Sequence, residues 1–390
     1  MKSLLTPFTG LLACLSVSLH AAGAESLQPL LQSPLDYQIF QRSTREQGTI
    51  HLDASVNSTE AFDAYAARLL DEHGQVLVST SGSLESAAHD FAEKKFNTNL
   101  KLDLSAKSGG WYRLEVVFLK DQKVVAQFVP VHVGVGEVFL VAGQSNSANH
   151  GAEKLAAKSE FVRTFTGEDW QHCKDPQPGA SGNGGSFIPA LGDLLQSRLH
   201  VPIGFIACGI GATSVREWLP EGKTFAHPPT LVNRVRKLDD GKWESNGQAY
   251  QNLVHHLQSM GKHGLRAVLW HQGESDANQA KPINTLSGAN YRDYLGIIIG
   301  QSRHDIGWEI PWMVAQVSYH TPNDTGSEDI REGQAALWHD GIALQGPDTD
   351  ALRGALREKN GQGVHFSAAG QQAHAQVWAE KLLPWIESQP

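Results

Sequence analysis

The apolar positions of this chain change their rhythm once, near residue 135. Between about residues 36 and 134 they recur at every second place in short runs, "TIHLDASV", "AYAARLLD", "QVLVSTSG", "LKLDLSA", "WYRLEVVFL" and "KVVAQFVPVHVG", separated by polar turns such as Glu72-His73-Gly74 and Ser108-Gly109-Gly110. Period two sends successive side chains to opposite faces of a strand, so this stretch predicts an antiparallel β-sandwich of roughly 100 residues.

After Gly136 the pattern becomes apolar strand, glycine-rich loop, amphipathic helix. "EVFLVAG", "PIGFIACG", "LRAVLWHQG", "PWMVAQVSY" and "IALQGP" read as buried strands, and "FIPALGDLLQSRL", "QNLVHHLQSMGKH", "ANYRDYLGIIIGQSRHD", "DIREGQAALWHD" and "AAGQQAHAQVWAEKLL" carry apolar residues at helical spacing. This alternation predicts an α/β fold with a mostly parallel sheet wrapped by helices. In such sheets ligands bind beyond the strand C-termini, where the polar clusters of this sequence fall. Trp270, Trp308, Trp312 and Trp338 lie in strand or helix patterns and read as core.

Length and composition sharpen the picture. A chain of 390 residues exceeds the usual size of one core, which predicts an accessory domain over 25–134 and a second domain over 135–390. The 41 Asp plus Glu against 32 Lys plus Arg leave no net positive field to hold phosphates, which argues against a nucleic-acid partner. Residues 1–24 set Lys2 before an apolar stretch and end in Ala22-Gly23-Ala24, the layout of a secretory signal peptide, so the mature protein is expected in the periplasm or secreted. Leu12-Ala13-Cys14 loosely resembles a lipoprotein processing site, but the apolar run continues past it, favouring soluble release. No later segment reaches the roughly 18 apolar residues of a membrane span. Cys173 and Cys208 remain; they could pair in an oxidising compartment and have no zinc-site spacing.

Candidate chemistry begins at "FLVAGQSNSANHG", residues 139–151, where a greasy strand breaks into glycine and small polar residues. A serine just past a strand can sit at a helix N-terminus with its amides facing the crevice, which makes Ser145 a candidate nucleophile. The plainer alternative is a turn with an N-cap, and Ser147 stands where the second glycine of a G-x-S-x-G elbow belongs. Among 18 histidines, His365 lies after the last strand and before the final helix, where a loop can return it to the same crevice. His271 ends a strand and is a second candidate base; His374 lies inside the last helix and reads as structural or surface; His150 follows the serine loop closely. In "VLWHQGESDA", Gln272 could donate to an oxyanion, while Ser275 or Asp276 could cap the next segment.

The blocks "GQSN", "NGGSF", "GIGATSVREW", "WHQGESD" and "GVHFSAAG", in this order, resemble the SGNH-type carbohydrate O-acetylesterases of the sialate O-acetylesterase-like group over roughly residues 134–385. The resemblance implies a flavodoxin-like three-layer α/β/α domain and a serine esterase that takes O-acetyl groups from sialic acid or from plant or bacterial polysaccharide, with no metal or organic cofactor. It makes Ser145 the nucleophile and His365 the base, with Ser145, Gly185 and Gln272 as oxyanion donors and Gly184 as rival to Gly185. The aspartate often found three residues before the histidine is replaced by Gln362. The orienting acid is therefore open, with Glu274, Asp276, Asp348 and Asp350 as possible substitutes. Asn146, Asn149, His150, Arg216, Glu274 and Tyr319, with Trp218 and His320 beside them, are candidate sugar contacts. Arg216 would suit a substrate carboxylate or, equally, a structural ion pair. A sugar O-acetyltransferase and a non-catalytic carbohydrate-binding protein are the alternatives, and the sequence leaves the oligomeric state open.

Overall fold

A computed structural model describes residues 30–58, 62–84, 88–90, 95–324 and 326–390. The expected leader at 1–24, with Cys14, lies outside them. The chain is organised around one long strand, Val131–Gly143. Its first half pairs antiparallel with Gly109–Lys120 and parallel with Gln38–Gln41. Its second half pairs parallel with Ile203–Ala207 on one side and Ala267–His271 on the other. Trp312–Gln316 and Leu344–Asp348 extend the parallel set beyond Ala267–His271. Val162–Phe165 adds a sixth parallel strand beyond Ile203–Ala207, so in chain order the six lie second, third, first, fourth, fifth, sixth, a doubly wound arrangement whose crevice opens at the carboxyl ends of the strands.

Strand side chains alternate between two cores. Val138, Leu140, Ala142, Trp270, Trp312 and Val314 meet the helices Gln248–Ser259, Gly288–Ile306 and Glu328–His339. Phe139, Val141, Phe205, Leu269, Met313 and Ala315 meet Ile188–Leu199 and Ala368–Ser388. All five predicted helices form close to their expected bounds. Ser287, Ser327 and Ser367 begin three of them by accepting a backbone N–H, caps worth about 1 kcal/mol each. Trp270 and Trp312 are fully buried, and Trp308 and Trp338 pack against the same core. No helix among the described residues is long and apolar enough to cross a membrane.

The N-terminal strands form two layers over a third core. Leu30–Ser33, Gln47–Ser58, Lys95–Lys107 and Ala88–Asp90 make an antiparallel sheet whose Ile50, Leu52, Val56 and Leu104 meet Leu69, Leu114, Val116 and Phe118 of Ala64–Leu70 and Gly109–Lys120. The run "KVVAQFVPVHVG", read as one strand, is two: Lys123–Gln127 ends before Pro130, which has no N–H to donate, and the long strand begins at Val131. The strands Val162–Phe165 and Trp170–His172, the second of them the sheet's edge, and a small sheet of Thr224–Phe225, Val235–Lys237 and Trp243–Ser245, were not foreseen.

Glu137, fully buried in the middle of the long strand, joins the two halves electrostatically. Arg42 Nε from the N-terminal half and Arg266 Nε from the C-terminal half each donate to its carboxylate at 2.6 Å. Cys173 and Cys208 are both free and buried, and they sit in the two cores on opposite sides of the sheet, so they cannot bond. Burial raises both thiols well above their ordinary value.

Candidate active site

The break after the long strand has a geometric cause. Gly143 adopts φ 127°, and a Cβ there would lie 2.1 Å from the carbonyl oxygen of His271 on the neighbouring strand, so only glycine passes. Gln144 then donates its N–H to that carbonyl at 3.0 Å. Its side-chain oxygen accepts from Gln272 Nε2 at 3.2 Å, Gly273 N at 3.4 Å and Ser275 N at 3.0 Å, tying the serine loop to the next loop along the rim. Ser145–Ser147 form a single 3-10 turn. The turn's leading N–H groups, Ser145 first, have no acceptor among the described residues, as expected at a helical start.

The His365 loop reaches this turn from the far end of the sheet. Asn146 Nδ2 donates to Val364 O at 3.2 Å, so the residues next to 145 and 365 touch. Ala152 N donates to Phe366 O at 3.0 Å. The His150 ring lies over the His365 ring with centroids 5.3 Å apart. No hydrogen bond joins Ser145 Oγ to His365 Nε2 among the described residues; such bonds are often long before substrate arrives.

The acid that meets His365 is one that sequence reasoning missed. Glu358 Oε1 lies 3.0 Å from His365 Nδ1. The chain folds back between them because Lys359 and Asn360 both take left-handed conformations, φ 53° and 56°, an uncommon pair for residues with a Cβ. Glu358 N donates to His365 O at 2.9 Å and Gly363 N to Glu358 O at 3.0 Å, closing the loop. A Cβ on Gly363 would lie 2.2 Å from Glu358 Cγ, so the carboxylate reaches the imidazole through the space glycine leaves. The signal in "EKNGQGVH" was Asn-Gly and a second glycine between acid and histidine, not the three-residue spacing. Burial pushes the His365 imidazole below its ordinary value, and Glu358 pulls it back up.

None of the four substitutes for the missing aspartate meets His365. Asp348 and Asp350 bind Arg331 at 2.9 and 3.1 Å. Asp276 is fully buried, accepting from Val215 N at 2.8 Å and Gln272 Nε2 at 2.8 Å, and pairing with Arg216. Glu274, buried, accepts from Asn146 Nδ2 at 2.9 Å; its other oxygen has no partner, and burial raises its carboxyl to about 7.

Several expected contacts prove to be braces. Gly185 N donates to Gly151 O at 2.9 Å and Gly184 N to Asn149 O at 2.8 Å, so neither amide is free for an oxyanion. Gln272 Nε2 already serves Gln144, Thr213 O at 3.0 Å and Asp276, which removes it from the oxyanion set too. Arg216, without exposure, donates to Ser214 Oγ and to the carbonyls of His227, Pro228 and Asn284, so it cannot meet a substrate carboxylate. Asn149 is spent on Gln177 and Ala180. Tyr319 is buried, its ring centroid 4.7 Å from the Arg357 guanidinium carbon. Glu274 is likewise closed to sugar. Trp218 is buried, donating to Thr213 Oγ1 at 2.9 Å. His271 is walled in against Thr349 Oγ1 at 2.9 Å, and burial lowers it to about 3, so it cannot reach substrate as a base. His374 is structural, accepting from Trp378 Nε1 at 3.0 Å.

The Ser145 turn and the Glu358–His365 pair, with His150 half-buried beside them, thus lie on the rim beyond the carboxyl ends of the parallel strands, where open α/β sheets place their ligands. The chain belongs to the carbohydrate esterase family of sialic acid-specific acetylesterases, whose model matches residues 135–384. A probable carbohydrate esterase of Arabidopsis thaliana, At4g34215, is 22% identical over 197 residues, 44% of this chain, and the matched stretch spans 64% of that protein's length. The crystal structure of XAC1771, a carbohydrate acetylesterase from Xanthomonas citri, matches the fold with a TM-score of 0.52 at 17% identity, covering 92% of this chain and 76% of that one.

Proposed function

We propose that the protein is an exported serine esterase that removes O-acetyl groups from carbohydrate through an acetyl-serine intermediate, on a three-layer SGNH-type domain preceded by a β-sandwich. The observation that carries the reading is the meeting of an unpaired-amide serine turn with a Glu358-oriented histidine. His365 Nε2 takes the proton from Ser145 Oγ, which attacks the acetyl carbonyl. The Ser145 N–H holds the tetrahedral oxyanion; one such donor contributes about 3–4 kcal/mol in comparable sites. Collapse breaks the ester bond, and the sugar oxygen leaves with the proton from His365. Water, deprotonated by the same imidazole, attacks the acetyl-serine, and acetate departs as Ser145 regains its proton. Glu358 fixes the imidazole tautomer and stabilises the imidazolium formed in each half-reaction.

Export is supported by the leader-like residues 1–24, and the carbohydrate substrate by the family. The test is acetate release from p-nitrophenyl acetate and from acetylated sugars by purified protein. Ser145→Ala should lose roughly 1,000-fold or more in kcat, as nucleophile removal does elsewhere. Turnover by Ser145→Ala within tenfold of wild type would end the acetyl-serine reading.

A further inference from the structure

His150 takes no part in the acyl transfer proposed above, yet three loops are shaped around its ring. The backbone on either side is clamped: Asn149 N donates to Ser181 O at 2.9 Å, and Gly151 N to Gly185 O at 2.8 Å. The Nε2 edge of the imidazole meets two glycines. A Cβ on Gly182 would lie 2.8 Å from Nε2 and one on Gly211 2.7 Å from it, so a side chain at either position would push the ring out. One face of the ring lies over His365, with centroids 5.3 Å apart and planes 30° from parallel.

The hydrogen bonds around Ser181 decide where the His150 proton sits. Ser181 Oγ lies 3.3 Å from His150 Nε2 and accepts the Gly211 N–H at 2.6 Å. A hydroxyl has one proton to give, and among the described residues His150 Nε2 is the acceptor within its reach. Ser181 therefore donates, Nε2 accepts, and the imidazole carries its proton on Nδ1. Burial and the neighbouring His365 hold His150 below its ordinary value, against the opposing pull of Glu358, which keeps the ring neutral near neutral pH. Nδ1 has no partner among the described residues and retains contact with solvent on a half-buried side chain. A fixed N–H donor thus stands open beside His365.

In acyl transfer the base that takes the serine proton returns it to the leaving oxygen, so the leaving group lies against the base while the acyl oxygen turns to the oxyanion donors. A donor stacked on His365 therefore borders the alcohol side of the ester. We infer that His150 is a substrate-binding residue whose Nδ1–H donates to an oxygen of the released alcohol, next to the ester under attack. The inference rests on the esterase reading for the side of the ester that His150 meets.

It is tested with wild type, His150→Phe and His150→Asn, each checked for native circular dichroism. The esters are xylose tetraacetate, in which oxygen acceptors flank each acetyl group, and p-nitrophenyl acetate, whose leaving group has no oxygen next to the ester. His150→Phe keeps a ring over His365 without a donor. Its kcat/KM should fall roughly tenfold further on xylose tetraacetate than on p-nitrophenyl acetate, chiefly through KM, the scale of one lost hydrogen bond in a bound complex. His150→Asn, whose Nδ2 can stand where Nδ1 stood, should recover part of that difference. Equal losses on the two esters in His150→Phe would mean that the ring serves His365 alone and would overturn the inference, as would no loss on either. NMR of isotope-labelled histidine gives a readout that needs no turnover: in Ser145→Ala, the His150 signal should be that of the Nδ1–H tautomer and should move when xylose tetraacetate is added. An Nε2–H tautomer, or a signal that stays in place, would also overturn the contact. A moving signal together with a wild type that hydrolyses neither ester would remove the esterase reading and leave the contact standing.

Discussion

Replacing Glu358 by glutamine keeps the side chain's size and removes its charge. In the wild type the carboxylate accepts the Nδ1 proton of His365 at 3.0 Å, with the two side chains 21% and 24% exposed. A hydrogen bond to a charged group is worth about 1.5–3 kcal/mol, and this one strengthens as the imidazole becomes imidazolium in the transition state. At about 1.4 kcal/mol per tenfold, Glu358→Gln should lose roughly ten- to a hundredfold in kcat, with KM little moved. The pH profile supplies a second readout. Burial lowers the His365 pKa and Glu358 raises it. Without the negative charge it falls further, so the acid limb of kcat/KM, which reports the free enzyme, should move to lower pH while the plateau drops. The assay is steady-state acetate release from p-nitrophenyl acetate across pH 4–9 with circular dichroism as the folding control. A folded Glu358→Gln with kcat within threefold of wild type, or with its acid limb moved upward, would refute the role given to Glu358.

Gly363→Ala should act through the same pair, because its new methyl would lie 2.2 Å from Glu358 Cγ and push the carboxylate off the imidazole; kcat should fall toward that of Glu358→Gln, and a fully active Gly363→Ala would show that the loop accommodates a Cβ. Glu274→Gln tests the buried brace: with a folded pKa raised to about 7 against 4.5, the native state binds more protons than the unfolded chain in that window, so wild-type stability should decline as pH rises through it. Thermal unfolding of Glu274→Gln should lack that decline, and identical pH dependence in the two proteins would contradict a buried, uncompensated carboxyl. Gly143→Ala forces a Cβ to within 2.1 Å of His271 O in a positive-φ conformation; denaturant unfolding should show a loss of at least about 2 kcal/mol, and unchanged stability would remove the steric account of that glycine.

What the sequence conveyed well was periodic. Buried strands such as 137–143 and helices such as Ala368–Ser388 announce themselves because their apolar spacing matches the backbone repeat. The short strands Val162–Phe165 and Trp170–His172 did not, since three or four residues hold too few periods to register. At the site the errors share one physical origin. Arg216, Asn149, Gln272 and Glu274 are polar residues at strand ends, as substrate contacts would be, yet each is turned inward to satisfy backbone or side-chain groups of a rim made entirely of loops. Whether a polar side chain braces or binds depends on a direction that linear order does not encode. Glu358 was hidden for the complementary reason: two left-handed residues bring it back to His365 across a gap that a fixed spacing would not anticipate.

The strand Val131–Gly143 crosses from the N-terminal strands into the parallel sheet without interruption, with Glu137 pinned from both sides at the crossing. A rod of this kind transmits rather than bends. Shortening the protein to its C-terminal half would cut through continuous hydrogen-bonded backbone a few residues upstream of the Ser145 turn, stripping Glu137 of Arg42 and leaving the stump frayed. The N-terminal strands are therefore part of the foundation on which the serine stands, and a trimmed version should be judged by its melting behaviour before its loss of turnover is assigned to missing sugar contacts.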